Sequence, residues 1–345
     1  MNSNRHPFLE SGLVLSLPVW DESRYQVRPM AHPTIYVPVT PDFWHAWHAE
    51  PGHTAPQIEH ALRVMMPFLM RLAVVGQSLA TSQTKLSPAD IVTEVDLGLE
   101  GLFRMWISRH FPEDQIIGEE GGYTQTAVSD GISAPSVWII DPIDGTSNYA
   151  AGSADVVIQL CRLKAGIPDV AVMGFPFYAC LETASVGGPT WEMSRDWPPA
   201  ISPEFRIATE YREDRNQEAL MFLDICHLFG GQAYRLKSIG VTLYCLSGQD
   251  HFVFYKPRIK IWDIYPPLAL FRLRNLDIQM QLGISVPATE GTVWVDPFSP
   301  QAYVRLWTAL SQEGRIGHIL VTSNEDKENG VTLALKEKLS CISLF

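Results

Sequence analysis

Cysteine is scarce and scattered in this chain, which has only Cys161, Cys180, Cys226, Cys245 and Cys341. The number is odd and no two stand as Cys-x-x-Cys. This disfavours a disulfide framework or a zinc ribbon and fits reduced thiols in a cytoplasm. A Lys/Arg block is also missing: 26 basic residues face 38 acidic ones, for a net charge of −12. Neither nucleic acid nor an anionic membrane surface is therefore expected as a partner. No apolar run reaches the roughly 18 residues that a membrane helix needs. The short apolar stretch 13–19 follows Glu10 and has no small-residue cleavage site after it, so no signal peptide is expected.

What the chain does have is an ordinary hydrophobic content of 46% over 345 residues, enough for one large domain or two fused lobes. Residues 1–53 are rich in proline and aromatics without a sustained period and read as an N-terminal extension packed on the body. Thr54-Ala55-Pro56-Gln57 has the form of a capping box. Ile58, Leu62, Met65, Leu69 and Leu72 then recur at helical spacing, with a kink expected near Pro67. Asp96 precedes Leu99, Leu102, Phe103, Trp106 and Ile107, which places it at a helix N-terminus.

Two apolar runs end in acids. Ile116-Ile117-Gly118 leads into Glu119-Glu120, and the run 137–140 is closed by Asp141-Pro142, with Asp144 three residues on. Gly145-Thr146-Ser147 then supplies a turn and caps for a short helix. Residues 154–193 alternate as hairpins of one antiparallel sheet, and 195–203, with three prolines, reads as the junction between lobes. The expected organisation is an α+β lobe over 54–198 and an α/β lobe over 199–345. In the second lobe, strands near 205–209, 233–236 and 251–255 alternate with helices near 214–229 and 240–246, which argues for a mainly parallel sheet. Asp263 heads a further helix, expected to hold Pro266 and Pro267 in its first turn. A strand at 319–322 and a helix at 330–339 close the lobe.

Two carboxylates about 4 Å apart repel by roughly 4 kcal/mol at an effective dielectric near 20. A shared proton, a basic side chain or hard divalent cations would neutralise them, and the stretch 138–149 contains no base. Free N–H groups at a helix start attract an anion, so cations beside a phosphate is the economical reading. A plain structural turn is the competing one. An EF-hand is excluded, because the twelfth position counted from Asp141 is Gly152 rather than Glu.

Taken together, Asp141-Pro142-Ile143-Asp144-Gly145-Thr146 with Asn148-Tyr149, Gly118-Glu119-Glu120, Trp262-Asp263, and the segment 87–93 with Asp96 resemble the motifs of the inositol monophosphatase family, within the wider group that includes fructose-1,6-bisphosphatases. The resemblance runs from about residue 56 to the C-terminus and implies a layered αβαβα sandwich. It also implies an Mg²⁺-dependent phosphomonoesterase acting on a small sugar, polyol or nucleotide phosphate. Two or three Mg²⁺ ions would be held by Glu119, Asp141, the Ile143 carbonyl, Asp144 and Asp263. Asp96 and Thr146 would orient the attacking water, with Glu119 also among the catalytic groups, and Gly145 and Thr146 N–H would hold the phosphoryl oxygens. Lys256 stands where inositol-specific members often carry an acid, so with Arg258 and Lys260 it would favour a second anionic group on the substrate, with a solvated basic turn as the competing reading. Lithium sensitivity and a homodimer are further implications. The chain departs from the family at Pro266-Pro267, at Asn275-Leu276 where Gly-Gly is common, and over 282–318. These departures motivate an alternative, a catalytically silent paralogue serving as a binding or regulatory subunit.

Overall fold

A computed structural model describes residues 13–15, 18–21, 26–29, 35–37, 41–78, 82–84, 91–124, 136–189, 206–209, 232–235, 238–249, 252–286, 291–310, 314–323, 332–333 and 336–337. In chain order the first half contains β1 (Leu13–Leu15), β2 (Pro18–Asp21), β3 (Gln26–Pro29), β4 (Ile35–Val37), α1 (Pro41–His48), α2 (Ala55–Gln77), β5 (Ser82–Thr84), β6 (Ile91–Thr93), α3 (Glu94–His110), β7 (Gln115–Gly118), β8 (Gly122–Thr124), β9 (Val137–Asp144) and α4 (Thr146–Ala150). Then follow β10 (Val157–Lys164), β11 (Ile167–Phe175), β12 (Cys180–Ser185), β13 (Arg206–Thr209), β14 (Gln232–Arg235), α5 (Ile239–Ser247), β15 (Phe252–Lys260), α6 (Ile261–Leu273), β16 (Ile278–Val286), β17 (Gly291–Val295), α7 (Pro300–Leu310) and β18 (Arg315–Ser323).

The unbroken apolar run at the start of β9 is explained by what lies on either side of it. Successive side chains of a strand point to opposite faces. Trp138 and Ile140 join a core with α2 and α3, whereas Val137 and Ile139 join a core with α5, α6 and the second sheet. Both faces are covered, so no polar alternation survives. The result is a stack of helix pair, six-stranded sheet, helix pair and second six-stranded sheet. The first sheet has the order β12-β11-β10-β9-β7-β8 and the second β14-β13-β15-β18-β16-β17.

Three local expectations need correction. Asp-Pro does not end β9, which continues through Pro142 to Asp144. On the β7 side its pairing has already stopped at Ile140, and on the β10 side a register shift between Val157 and Gln159 passes this stretch, so no ladder bond is lost to the missing proline N–H. The second sheet is mixed rather than mainly parallel. β13 runs parallel to β14 and β15, but the pairs β15–β18, β16–β18 and β16–β17 are antiparallel. Finally, α6 starts at Ile261, so Pro266 and Pro267 are its sixth and seventh residues, beyond the first turn.

The Thr54 backbone N–H and hydroxyl both donate to Gln57 Oε1, at 3.2 and 2.7 Å, opening α2. Pro67 lies inside that helix. Asn275 takes the left-handed conformation, φ 52°, that a glycine would otherwise supply after α6, and Leu276 N donates back to Phe271 O at 3.1 Å. In the N-terminal extension, β2 lies against α3 and α1 against α2. The expected helix over 214–229, the strand beyond residue 189 and the 195–203 junction lie outside the described residues, and of the expected helix over 330–339 only residues 332–333 and 336–337 are described, both pairs helical. No helix among the described residues is long and apolar enough to cross a membrane. Cys161, Cys180 and Cys245 are free thiols.

Candidate metal centre

Four separate elements deliver the acids. Thr93 caps α3: its hydroxyl accepts from Asp96 N at 3.4 Å, and its own N–H donates to Asp96 Oδ2 at 3.0 Å. This reciprocal box fixes the fully buried Asp96 carboxylate, whose other oxygen accepts from Thr146 Oγ1 at 3.0 Å. Thr146 Oγ1 also stands 3.1 Å from the Ile143 carbonyl. Asp141 and Asp144 come from the last residues of β9, Glu119 follows β7, and Asp263 is the third residue of α6.

Oxygens of Glu119, Asp141 and Asp263 all lie within 4.8 Å of one another. At that spacing each ionised pair repels by roughly 3.5 kcal/mol at an effective dielectric near 20. Burial, reinforced by the charge of Glu119, holds the Asp141 carboxyl well above the usual range. Burial, then Asp144, pushes Asp263 up to about 8 despite the attraction of Lys256 and Lys260. Asp144 is raised to about 6, mainly by burial, with Ser238 and Gly240 opposing. Burial is again the first cause for Asp96, raised to about 7. Asp141 Oδ1 is buried with no hydrogen-bond partner, although buried carboxylate oxygens are almost always satisfied. An all-oxygen donor set with an orphaned oxygen and mutual repulsion fits a hard divalent cation of the Mg²⁺ type.

Asp144 stands beside the trio and has its own anchors. Ser238, the N-cap of α5, donates from Oγ to Asp144 Oδ2 at 2.7 Å, and Gly240 N donates to the same atom at 2.5 Å. Gly145 has φ +97°, and a Cβ there would meet Asp155 O at 3.0 Å, so glycine is required on both counts. Among the described residues no acceptor takes the N–H of Gly145 or of Thr146. Lys256 is half-buried on β15, close enough for its charge to act on Asp144 and Asp263. Residues 87–90 of the preceding motif, and the Arg258 side chain, lie outside the described residues.

A supporting layer was not evident from the sequence. Lys260 Nζ reaches Glu119 Oε1 at 3.3 Å and lies 5.3 Å from the Trp262 ring centroid. Beneath the Glu119 loop, Glu100 accepts from Glu120 N and Gly121 N, both at 2.7 Å. Arg104 Nε donates to Glu100 at 2.7 Å, and Arg104 also donates to Gly122 O at 2.6 Å. A Cβ at Gly118 would come within 2.2 Å of Glu100, and one at Gly121 within 2.7 Å of Arg104, so this buried pair demands glycine at both positions. The i, i+4 spacing of Glu100 and Arg104 on α3 was the one available signal.

Fold and site together define a class: a layered α/β protein with a buried carboxylate cluster of hard-cation character. The chain belongs to the inositol monophosphatase family, whose profile matches residues 57–272, more than half of its length. Inositol-1-monophosphatase ImpA of Mycolicibacterium smegmatis is 37% identical over 124 residues, 36% of this chain and 42% of that protein. The Nus factor SuhB of Xylella fastidiosa is 25% identical over 202 residues, 54% of this chain and 67% of that protein. The aligned part spans about half the length of the mycobacterial ImpA relatives, 42% and 52% in two of them. The crystal structure of an IMPase/NADP phosphatase complexed with Mg²⁺ and phosphate superposes with a TM-score of 0.57 at 21% identity, covering 81% of this chain and 95% of that one. The fold is therefore of the inositol monophosphatase type.

Proposed function

We propose that the chain is an Mg²⁺-dependent phosphomonoesterase acting on a small phosphorylated metabolite. The observation that carries this reading is the three-carboxylate cluster with its orphaned Asp141 oxygen, set beside the Thr146–Asp96 pair. Glu119, Asp141 and the Ile143 carbonyl would hold one cation, and Asp141, Asp144 and Asp263 a second. Bound there, the ions supply a Lewis acid for the phosphoryl group and a water of lowered pKa. The chain's own groups do the rest. Thr146 Oγ1 donates its proton toward Asp96 and Ile143, leaving lone pairs to accept from the attacking water, and Asp96 is the buried acceptor behind it. The open N–H groups of Gly145 and Thr146 point to a hold on phosphoryl oxygens, whose charge grows during the transfer. Lys256 favours a substrate with a second anionic group, and lithium inhibition is expected from the family.

The test is release of free phosphate from a panel containing inositol 1-phosphate, a sugar bisphosphate and a nucleotide 2′-phosphate, with Mg²⁺ and with a chelator. Mg²⁺-dependent release from one class supports the reading, and silence across the panel overturns it. Two relatives bear the name of a Nus factor rather than of a phosphatase, which keeps the silent-paralogue alternative specific. That alternative expects no turnover from any ester while the acids remain in place.

A further inference from the structure

Consecutive prolines inside a helix remove two hydrogen bonds at once. In α6, Pro266 and Pro267 occupy the positions whose N–H groups would donate to the carbonyls of Trp262 and Asp263, four residues earlier. Leaving a buried carbonyl unpaired costs about 1–3 kcal/mol. Here both are satisfied from outside the helix. Gln159 Nε2 lies 3.1 Å from Trp262 O and 3.2 Å from Asp263 O, so its two amide protons match the two donors that the prolines lack. Gln159 itself is fully buried and sits on the face of β10 that carries Val157 and Cys161 against α6. Its register partner across the sheet is Asp141, and Nε2 stands 3.5 Å from Asp141 Oδ2.

We propose that Gln159 is a positioning residue for the metal centre: its amide replaces the two helix donors that Pro266 and Pro267 lack and so locks the Asp263 backbone to the strand carrying Asp141. The assignment rests on the metal reading of the site given above. Without that tie, the first turn of α6 has no polar link to β10 through these carbonyls, and Asp263 loses its set distance from Asp141. Ligands held by a second layer of hydrogen bonds commonly lose metal affinity by about 10–100-fold when that layer is removed.

The experiment is Mn²⁺ titration by calorimetry of the purified full chain, alongside urea unfolding without metal. Gln159→Met keeps the volume and removes the donor, and it is expected to weaken Mn²⁺ binding by about 10–100-fold. Adding Pro266→Ala and Pro267→Ala to that variant returns N–H donors to the helix and is expected to restore much of the affinity. The two alanines alone, with Gln159 present, change it little. A residue that merely fills space would show no such rescue, because the prolines would be irrelevant to it. Wild-type binding with an unchanged Gln159→Met isotherm, or a loss that the alanines do not repair, overturns the assignment. A wild-type chain that binds no Mn²⁺ overturns the metal reading and this assignment with it. Should Gln159→Met fail to fold, the triple variant decides: recovery of folding and Mn²⁺ binding supports the assignment, and continued failure overturns it.

Discussion

Strand β9 meets buried acids near both of its ends. Near its start, Asp114 Oδ2 accepts from Trp138 Nε1 and from Arg162 Nε, each at 2.9 Å, and Arg162 reaches on to Asp169 at 3.2 Å. The guanidinium also lies beside two neighbouring rings, 5.2 Å from the centroid of Phe111 and 5.7 Å from that of Trp138. Near its finish, Asp141 and Asp144 crowd with Glu119 and Asp263, and Lys260 Nζ pairs with Glu119 at 3.3 Å. At one end an arginine of the chain ties two of the acids together. The other end leaves its repulsion unsolved, which reserves the place for an ion from solvent.

The contrast can be broken by making equivalent changes at the two ends. Asp141→Asn removes the central acid and is expected to lower phosphate release by about 10⁴-fold, about 5.5 kcal/mol, with the fold intact by circular dichroism. Metal-free stability should hold or rise, because a carboxyl that burial disfavours has been neutralised. Arg162→Ala should do the reverse. It strands Asp114 and Asp169 and is expected to cost about 3–5 kcal/mol in urea unfolding, while turnover per folded molecule stays near wild type. Thr146→Ala should reduce turnover by about 10²-fold, and Thr146→Ser should recover most of it, since only the hydroxyl is asked to relay a proton.

A smaller effect concerns pH. Asp144, Asp96 and Asp263 are raised to about 6, about 7 and about 8. The folded chain therefore binds more protons than the unfolded one between about pH 4 and 8. The stability linked to these groups is complete below pH 4 and is lost as pH rises through 6 to 8. Thermal unfolding of the chelated protein should show Tm falling across that window. The rise in Tm on adding Mg²⁺ should grow over the same window, because the ion replaces protons that are leaving. A chelated Tm that is flat from pH 5 to 8 would contradict the crowding described for the far end of β9.

The acids were legible in the sequence through their joint pattern: singly, Asp96 reads as a helix cap and the others as turn residues, and only the set of motifs in its order points to a shared site. Their supports were not. Gln159 reads as one more residue of a buried strand, Ser238 as an ordinary helix cap and Lys260 as a solvated charge, and only the fold brings them to the acids. Pro142 misled the strand boundary, since the usual rule assumes that neighbours need its N–H, and here neither ladder does. Strand direction in the second sheet was hidden for another reason: β16 and β18 have the same apolar character whichever way they run.

The tight seat that Glu100 and Arg104 occupy under the loop has a practical consequence. A saturation-mutagenesis map scored on turnover would mark Gly118 and Gly121 as intolerant as the acids themselves, although neither would touch ion or ester. Anyone redesigning specificity from such a map would be drawn to two residues with no chemistry to offer, and would do better to vary Lys256.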